Sequence, residues 1–263
     1  MAQEYFKNFP EMQYTLSNGK IITIKDFFRK SKIEQEAVTG LIEYTTYELS
    51  EGDRPDTVAT KLYGNGDLHW VFYLVNDFDN YLEWFKSSQE FETYIEKKYE
   101  GIYCVAPNST DLVNYSSGVS YKFLIGETVT TLDSEGVVTE VDPLHKRLGI
   151  KVLKGDFKTG ALSSAQSVKD TSDNPMSFTP VSTINKRDGV CYYYKGTLRK
   201  NQFENGYTAK SFYEEEYERN EEKRNIKIIK PARLGKVVSE FERVMKSWVE
   251  TMQRVNSFLI HSP

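Results

Sequence analysis

Carboxylates are the first side chains in this 263-residue sequence with chemistry to offer. Asp53, Asp56 and Asp67 fall in one short stretch, and a pair of carboxyl groups facing across a cleft is the machinery of glycoside hydrolysis. Their context gives two of them simpler tasks. Asp53 follows Gly52 in a turn, and Asp56 or Thr57 stands where a helix beginning near Pro55 needs a cap. The three histidines, His69, His145 and His261, lie in three separate segments, whereas a metal site needs several convergent ligands. Cys104 and Cys191 fit no metal spacing and are expected to be reduced thiols. No nucleophile elbow, Walker loop or H-E-x-x-H pattern occurs. These residues point away from an enzyme and toward a structural or binding protein with no cofactor and no metal.

The elements that position these residues are sharpest over residues 44–76, YTTYELSEGDRPDTVATKLYGNGDLHWVFYLVN. A strand from Tyr44 to Leu49 runs into a Glu51-Gly52-Asp53 turn. A helix follows with Val58, Ala59 and Leu62 on its apolar face, and Gly64 stops it. A second helix begins near Asp67 and turns Trp70, Val71, Leu74 and Val75 inward, and Asn76 precedes the return of the chain.

The flanking segments divide the chain into four parts. Residues 1–43 form an arm, with a hairpin signal at Asn18-Gly19 and aromatics Tyr5, Phe6 and Phe9 that need another surface to cover them. Residues 44–103 hold the strand–helix–helix pattern and a following helix from Ser88 to Gly101, with Phe91, Tyr94 and Ile95 as its stripe. Residues 104–210 shift to a period of two and short Gly-punctuated strands, expected to form a small β-barrel or sandwich insertion in which 159–177 is a long loop. Residues 211–263 comprise an acidic connector, a basic strand NIKIIKP, and a long amphipathic helix over 232–259. The fold class is therefore α+β.

The terminal helix carries one apolar seam, Val237, Phe241, Val244, Trp248, Met252, Val255 and Leu259, flanked by Met245. Its roughly 26 residues would be ~39 Å long, more than a small barrel covers. The seam and its basic face (Lys236, Arg243, Lys246, Arg254) thus form a candidate docking ridge for another protein. Charge supports such pairing. Eleven acids face two bases between Glu34 and Glu83, while nine bases face three acids from Lys223 to Pro263. The overall net charge of −4 gives no general pull toward nucleic acid. No apolar run approaches the ~20 residues that span a bilayer, and MAQEYFKNFP lacks the pattern of a signal peptide. Aromatic residues make up 14% of the chain, a share that suits contact surfaces and half-buried sheets equally.

Strand, GD turn, helix, YG stop, Trp-bearing helix and Asn resemble the LysM motif, a βααβ unit. In families with this motif sugar binding uses two loops, which fall here at Gly52 to Thr57, with Asp53, Arg54 and Asp56 among them, and at Asn76 to Asp79, with Asp77 among them. The acidic GDRPDT turn and the bulky FDNYLEWF run favour protein contact over glycan at these positions. Together with YFKNFPEMQY, NIKIIKP and SEFERVMKSW, the pattern resembles the LysM-like baseplate wedge proteins of T-even-type contractile-tailed phages. The resemblance implies a virion component, assembled in the host cytoplasm, that binds other wedge proteins and neighbouring wedge copies and helps join wedges into a ring around the hub. The alternative is a peptidoglycan- or chitin-type carbohydrate-binding module.

Overall fold

The computed structural model describes residue 9 and residues 11–26, 44–115, 118–157, 160–164 and 176–243. In chain order, β1 (Glu11–Thr15) and β2 (Ile21–Lys25) precede β3 (Tyr44–Glu48), α1 (Pro55–Tyr63) and α2 (Trp70–Asn76). Helix α3 (Ser88–Lys98) leads into β4 (Ile102–Val105), β5 (Val113–Asn114), β6 (Ser120–Tyr121), β7 (Thr128–Thr130), β8 (Glu135–Asp142) and β9 (Arg147–Lys154). Then come β10 (Leu162–Ser164), β11 (Ser177–Phe178), β12 (Ser182–Asn185), β13 (Val190–Lys195), β14 (Leu198–Lys200) and β15 (Thr208–Ser211). Helix α4 (Phe212–Glu222), β16 (Asn225–Ile229) and a helical stretch over residues 231–243, α5, complete the order. The mixture of helices and largely antiparallel strands is the expected α+β class. The chain divides into two compact units, one running to Ser87 and resuming at Asn220, the other spanning Ser88–Arg219.

In the first unit β1 and β2 form the hairpin signalled by Asn18-Gly19, with Thr15 opposite Ile21 and Gly19 at φ +80°. The decisive pairing is longer in range. Strand β3 runs antiparallel to β16, placing Tyr47 opposite Ile226 and Thr45 opposite Ile228. The order β3-α1-α2-β16 is thus a βααβ arrangement whose second strand arrives only after the whole second unit. Helix α1 begins with Pro55 in its first turn and ends at Gly64, which takes the left-handed conformation. Neither Asp56 nor Thr57 is the N-cap. Arg54 occupies that position, and the Thr57 hydroxyl accepts from the Arg54 backbone N–H at 3.1 Å from inside the helix. Before α2 the chain makes a short 3-10 turn at Gly66–His69, where the His69 ring bonds the Gly66 carbonyl.

Helix α2 (WVFYLVN) is apolar nearly all round, the pattern of a helix buried on more than one side. Phe72 packs with Leu49, Val58, Ala59, Trp84, Phe85, Ile226 and Ile228. Trp70 and Val71 enter a separate cluster with Phe9, Ile229, Val237 and Phe241. The helix is therefore the wall between two small cores.

The second unit holds a seven-stranded sheet in the order β11-β10-β7-β8-β9-β4-β12. Its two end strands are consecutive in sequence, and Phe178 is separated from Ser182 by three residues that span at most ~14 Å. A flat sheet of that order would set them ~29 Å apart at the usual strand spacing, so the sheet has to roll up on itself. Cys104, Leu112, Phe123, Val129, Leu148, Ile150, Phe157, Leu162 and Phe178 fill the interior. The expected insertion is thus a rolled sheet, accompanied by the three-stranded β14-β13-β15 and the two-stranded β5-β6. Part of the stretch expected as a loop, 159–177, is strand: Leu162 in β10 pairs with Phe178 in β11. Residues 165–175 lie outside the described residues.

The acidic connector is a packed helix in α4, with Glu215 and Glu216 buried. Glu215 accepts from the Tyr192 hydroxyl at 2.6 Å and lies 2.9 Å from the Arg219 guanidinium. Glu216 accepts from Lys98 at 2.8 Å and from the hydroxyls of Tyr94 and Tyr99, each at 3.1 Å. Burial alone would push the Glu216 carboxyl up, but its donors outweigh that and hold it below the usual glutamate range, and the same balance holds for Glu215. Both groups bind protons less readily folded than unfolded, so their contribution is complete above the ordinary glutamate value and is lost as pH falls through the depressed one. The melting temperature of the second unit should drop as pH falls below the ordinary glutamate value of about 4.3. In a Glu216→Gln chain, which starts less stable at neutral pH, that drop should be shallower, as read by circular dichroism melts across the pH series.

Candidate subunit-contact surface

The residues singled out for contact divide into those the fold consumes and those it leaves outside. Phe9 from the arm and Phe241 from α5 are consumed. Both are buried, and the Phe241 ring lies 4.5 Å from that of Trp70, centroid to centroid. The Phe9 carbonyl accepts from Lys25 Nζ at 3.1 Å, which ties β2 to the same place. These two aromatics fasten the arm and the start of the terminal helix to α2. Lys236 and Arg243 on α5 are exposed, and Arg243 pairs with Glu240 one turn back at 2.9 Å. Tyr5, Phe6, Val244, Met245, Lys246, Trp248, Met252 and Val255 lie outside the described residues.

The two loops of the βααβ arrangement stand side by side. The indole N–H of Trp84 donates to the Asp53 carbonyl at 2.7 Å, bridging the GDRPDT turn to the FDNYLEWF run. Gly52 sits at φ +79°, a backbone conformation that favours glycine. The Asp53 carboxylate is used locally, accepting from the Ser50 N–H at 2.9 Å, and Asp56 binds Arg54 at 3.2 Å. Within the aromatic run Trp84 and Phe85 turn inward and Phe78 packs beside them. Tyr81 and Leu82 stand out, 75% and 49% exposed. Tyr81-Leu82 and Trp84-Phe85 look alike in the sequence, and the packing of the second pair, with the Trp84–Asp53 bond, shows that the first pair is the one facing water. Sequence reasoning treated the run as one bulky block and so missed Tyr81 and Leu82 as presented groups.

Asn76 has a different task from the loop contact assigned to it. Its carboxamide donates to the Phe72 and Lys227 carbonyls, each at 2.9 Å, and accepts from the Lys227 N–H at 2.8 Å. The side chain therefore reads the Lys227 peptide group as a neighbouring strand would. Two residues further along, the Tyr63 hydroxyl donates to the Ile229 carbonyl at 3.1 Å and lies 3.2 Å from the Ile229 N–H. Burial pushes the Tyr63 phenol up and outweighs the opposing effect of its Ile229 backbone bond, so it stays a donor at neutral pH. Asp77 follows Asn76 in the left-handed conformation at φ 58° and ends α2.

Charge on this surface is presented by Arg54 and Asp56, with Asp79 beyond them, and its apolar groups are Tyr81 and Leu82. An exposed aromatic beside mixed charge suits the rim of a protein contact. It offers less to a sugar, since the Asn76 amide and the Trp84 indole are both engaged within the chain. Among the described residues no cluster of His, Cys, Asp and Glu is arranged to hold a metal ion.

Part of the sequence is similar to known proteins. Residues 5–110 match the family described as base plate wedge protein 53, a span that includes the arm, β3, both helices of the βααβ arrangement and α3. Over that span, about two fifths of the chain, it is similar to a family of baseplate wedge proteins. Baseplate wedge protein gp53 of Enterobacteria phage T4 is 29% identical over 86 residues, covering 32% of this chain and 44% of the relative. The chain thus aligns with less than half of that relative's length, and the part of the rolled sheet beyond residue 110 falls outside the family match.

Two outcomes follow from this packing. Asn76→Ala leaves the Lys227 peptide group without its partner and should cost about 1–3 kcal/mol of stability, measured by urea unfolding. Phe241→Ala removes the ring against Trp70 and should cost about 3–5 kcal/mol, while also exposing Trp70 to a red-shifted fluorescence.

Proposed function

We propose that this chain is a non-catalytic component of a baseplate wedge that binds other wedge subunits and helps join neighbouring wedges into a ring around the hub. The carrying observation is the family match over residues 5–110, which spans the arm and helices whose loops present Tyr81, Leu82, Arg54 and Asp56 outward. We read β3-α1-α2-β16 as a LysM-like unit used as a scaffold. Its loops face protein, because the groups a glycan would need are already bonded within the chain. The basic residues of the terminal segment, Lys236, Arg243 and Lys246, steer it to an acidic neighbour. In this proposal the arm, the LysM-like unit and the terminal segment make the contacts, and the second unit is a separate module carried between them in the sequence.

Reversing charge at Lys236, Arg243 and Lys246 together should lower co-sedimentation with purified wedges about tenfold at low salt. Unchanged assembly would overturn the steering role. Retention on insoluble peptidoglycan by the unaltered chain, and competition by chitin oligosaccharides, would favour the carbohydrate-binding alternative instead.

A further inference from the structure

The two-stranded sheet of the first unit treats its two edges differently. On β16 the outward peptide groups of Lys227 and Ile229 are satisfied by the Asn76 amide and the Tyr63 hydroxyl. Those bonds also fix the phase of the ladder. If Lys227 and Ile229 turn their N–H and C=O groups away from β3, then Ile226 and Ile228 turn theirs toward it, to meet Tyr47 and Thr45. The bond from the Leu49 N–H to the Arg224 carbonyl agrees with this alternation. Tyr44, Thr46 and Glu48 must therefore point their peptide groups to the far side of β3. Among the described residues no strand or side chain meets them there.

Natural edges are blunted by proline, lysine, bulges or coverage. Among the described residues strand β3 has none of these: its register with β16 is unbroken, its sequence is YTTYE, and Thr46 is exposed. Two side chains close one edge, whereas no described residue closes the other, so the outer edge of β3 is the one presented for use. We propose that the outer edge of β3 accepts an extended segment of another baseplate protein, added as a third strand and carrying Lys or Arg at alternate positions. Strand pairing supplies the contact and charge supplies the choice of occupant. The edge carries Glu48 and is followed by Glu51 and Asp53; Arg224, the base 4.0 Å from Glu51, is itself paired with Glu221 at 2.8 Å, and Lys227 lies across on β16. A second copy of this chain would bring the same acids against themselves, about one strand spacing away.

This inference rests on the baseplate reading, and hydrogen–deuterium exchange on the full chain, free and within purified wedges, separates the two. Absence of the chain from wedges would defeat the baseplate reading. Presence of the chain with the Thr46 amide exchanging as fast as in the free protein would defeat the edge proposal alone. The proposal expects at least tenfold slower exchange at Thr46 in wedges. It also expects Thr46→Pro, which removes only the outward N–H, to melt within a few degrees of the unaltered chain while incorporating at least tenfold less. Glu48→Lys should reduce incorporation similarly, and full incorporation would overturn the basic character assigned to the partner. Thr46 protection in the isolated chain, accompanied by a dimer in sedimentation, would give the edge to a second copy and overturn the proposal.

Discussion

The antiparallel pairing of β3 with β16 is the constraint on which the first unit depends. Without it α1 and α2 would have no sheet to cover, and Leu49, Ile226 and Ile228 would lose the core they share with Phe72. Two strands alone are marginal in water, and three kinds of support compensate. The helices bury one face. Asn76 and Tyr63 hold β16 from its outer side. Arg224 reaches the Leu49 carbonyl at 3.3 Å and lies 4.3 Å from the Phe85 ring centre, fixing the approach to β16 at the point where the chain re-enters the unit.

The second unit solves the opposite problem, with ample sheet and a strongly acidic helix to dock. Placing Glu215 and Glu216 inside would be costly if either lacked partners. Each instead meets tyrosine hydroxyls and at least one cation, so the two carboxylates hold α4 against β13 and α3 through hydrogen bonds, with aromatic packing of Phe91 against Tyr213 and Tyr217 beside them. Tyrosine is well suited here because one residue supplies both the apolar face and the donor. The abundance of Tyr in this sequence is accordingly spent in part on interior polar bonds.

Local signals in the sequence were legible and distant ones were not. The Asn18-Gly19 hairpin, the helix begun by Pro55 and stopped by Gly64, and the Phe91–Ile95 stripe each depend on neighbours within a few residues, and each stands where expected. The partner of β3 could not be read, because NIKIIKP looks like any basic strand until its register is known. Phe9 and Phe241 were recognised as residues needing a cover, but their cover is Trp70 within the chain. The partners of the α4 acids could not be read because Tyr192, Tyr94 and Lys98, which engage them, lie elsewhere in the sequence. Composition reports that a residue needs a partner and is silent on where that partner is found.

Closing the first unit with a strand that follows the second has a temporal consequence. A ribosome adding about 5–20 residues per second needs on the order of ten to thirty seconds between releasing β3 and releasing β16. Through that interval the second unit, contiguous in sequence, can fold while the first cannot be completed. The nascent polypeptide therefore acquires its two helices' proper seating, and the loops they carry, only once Ile229 has been made. Synthesis itself works as a timer on the contact surface, and a partial chain has no finished surface to offer a growing particle.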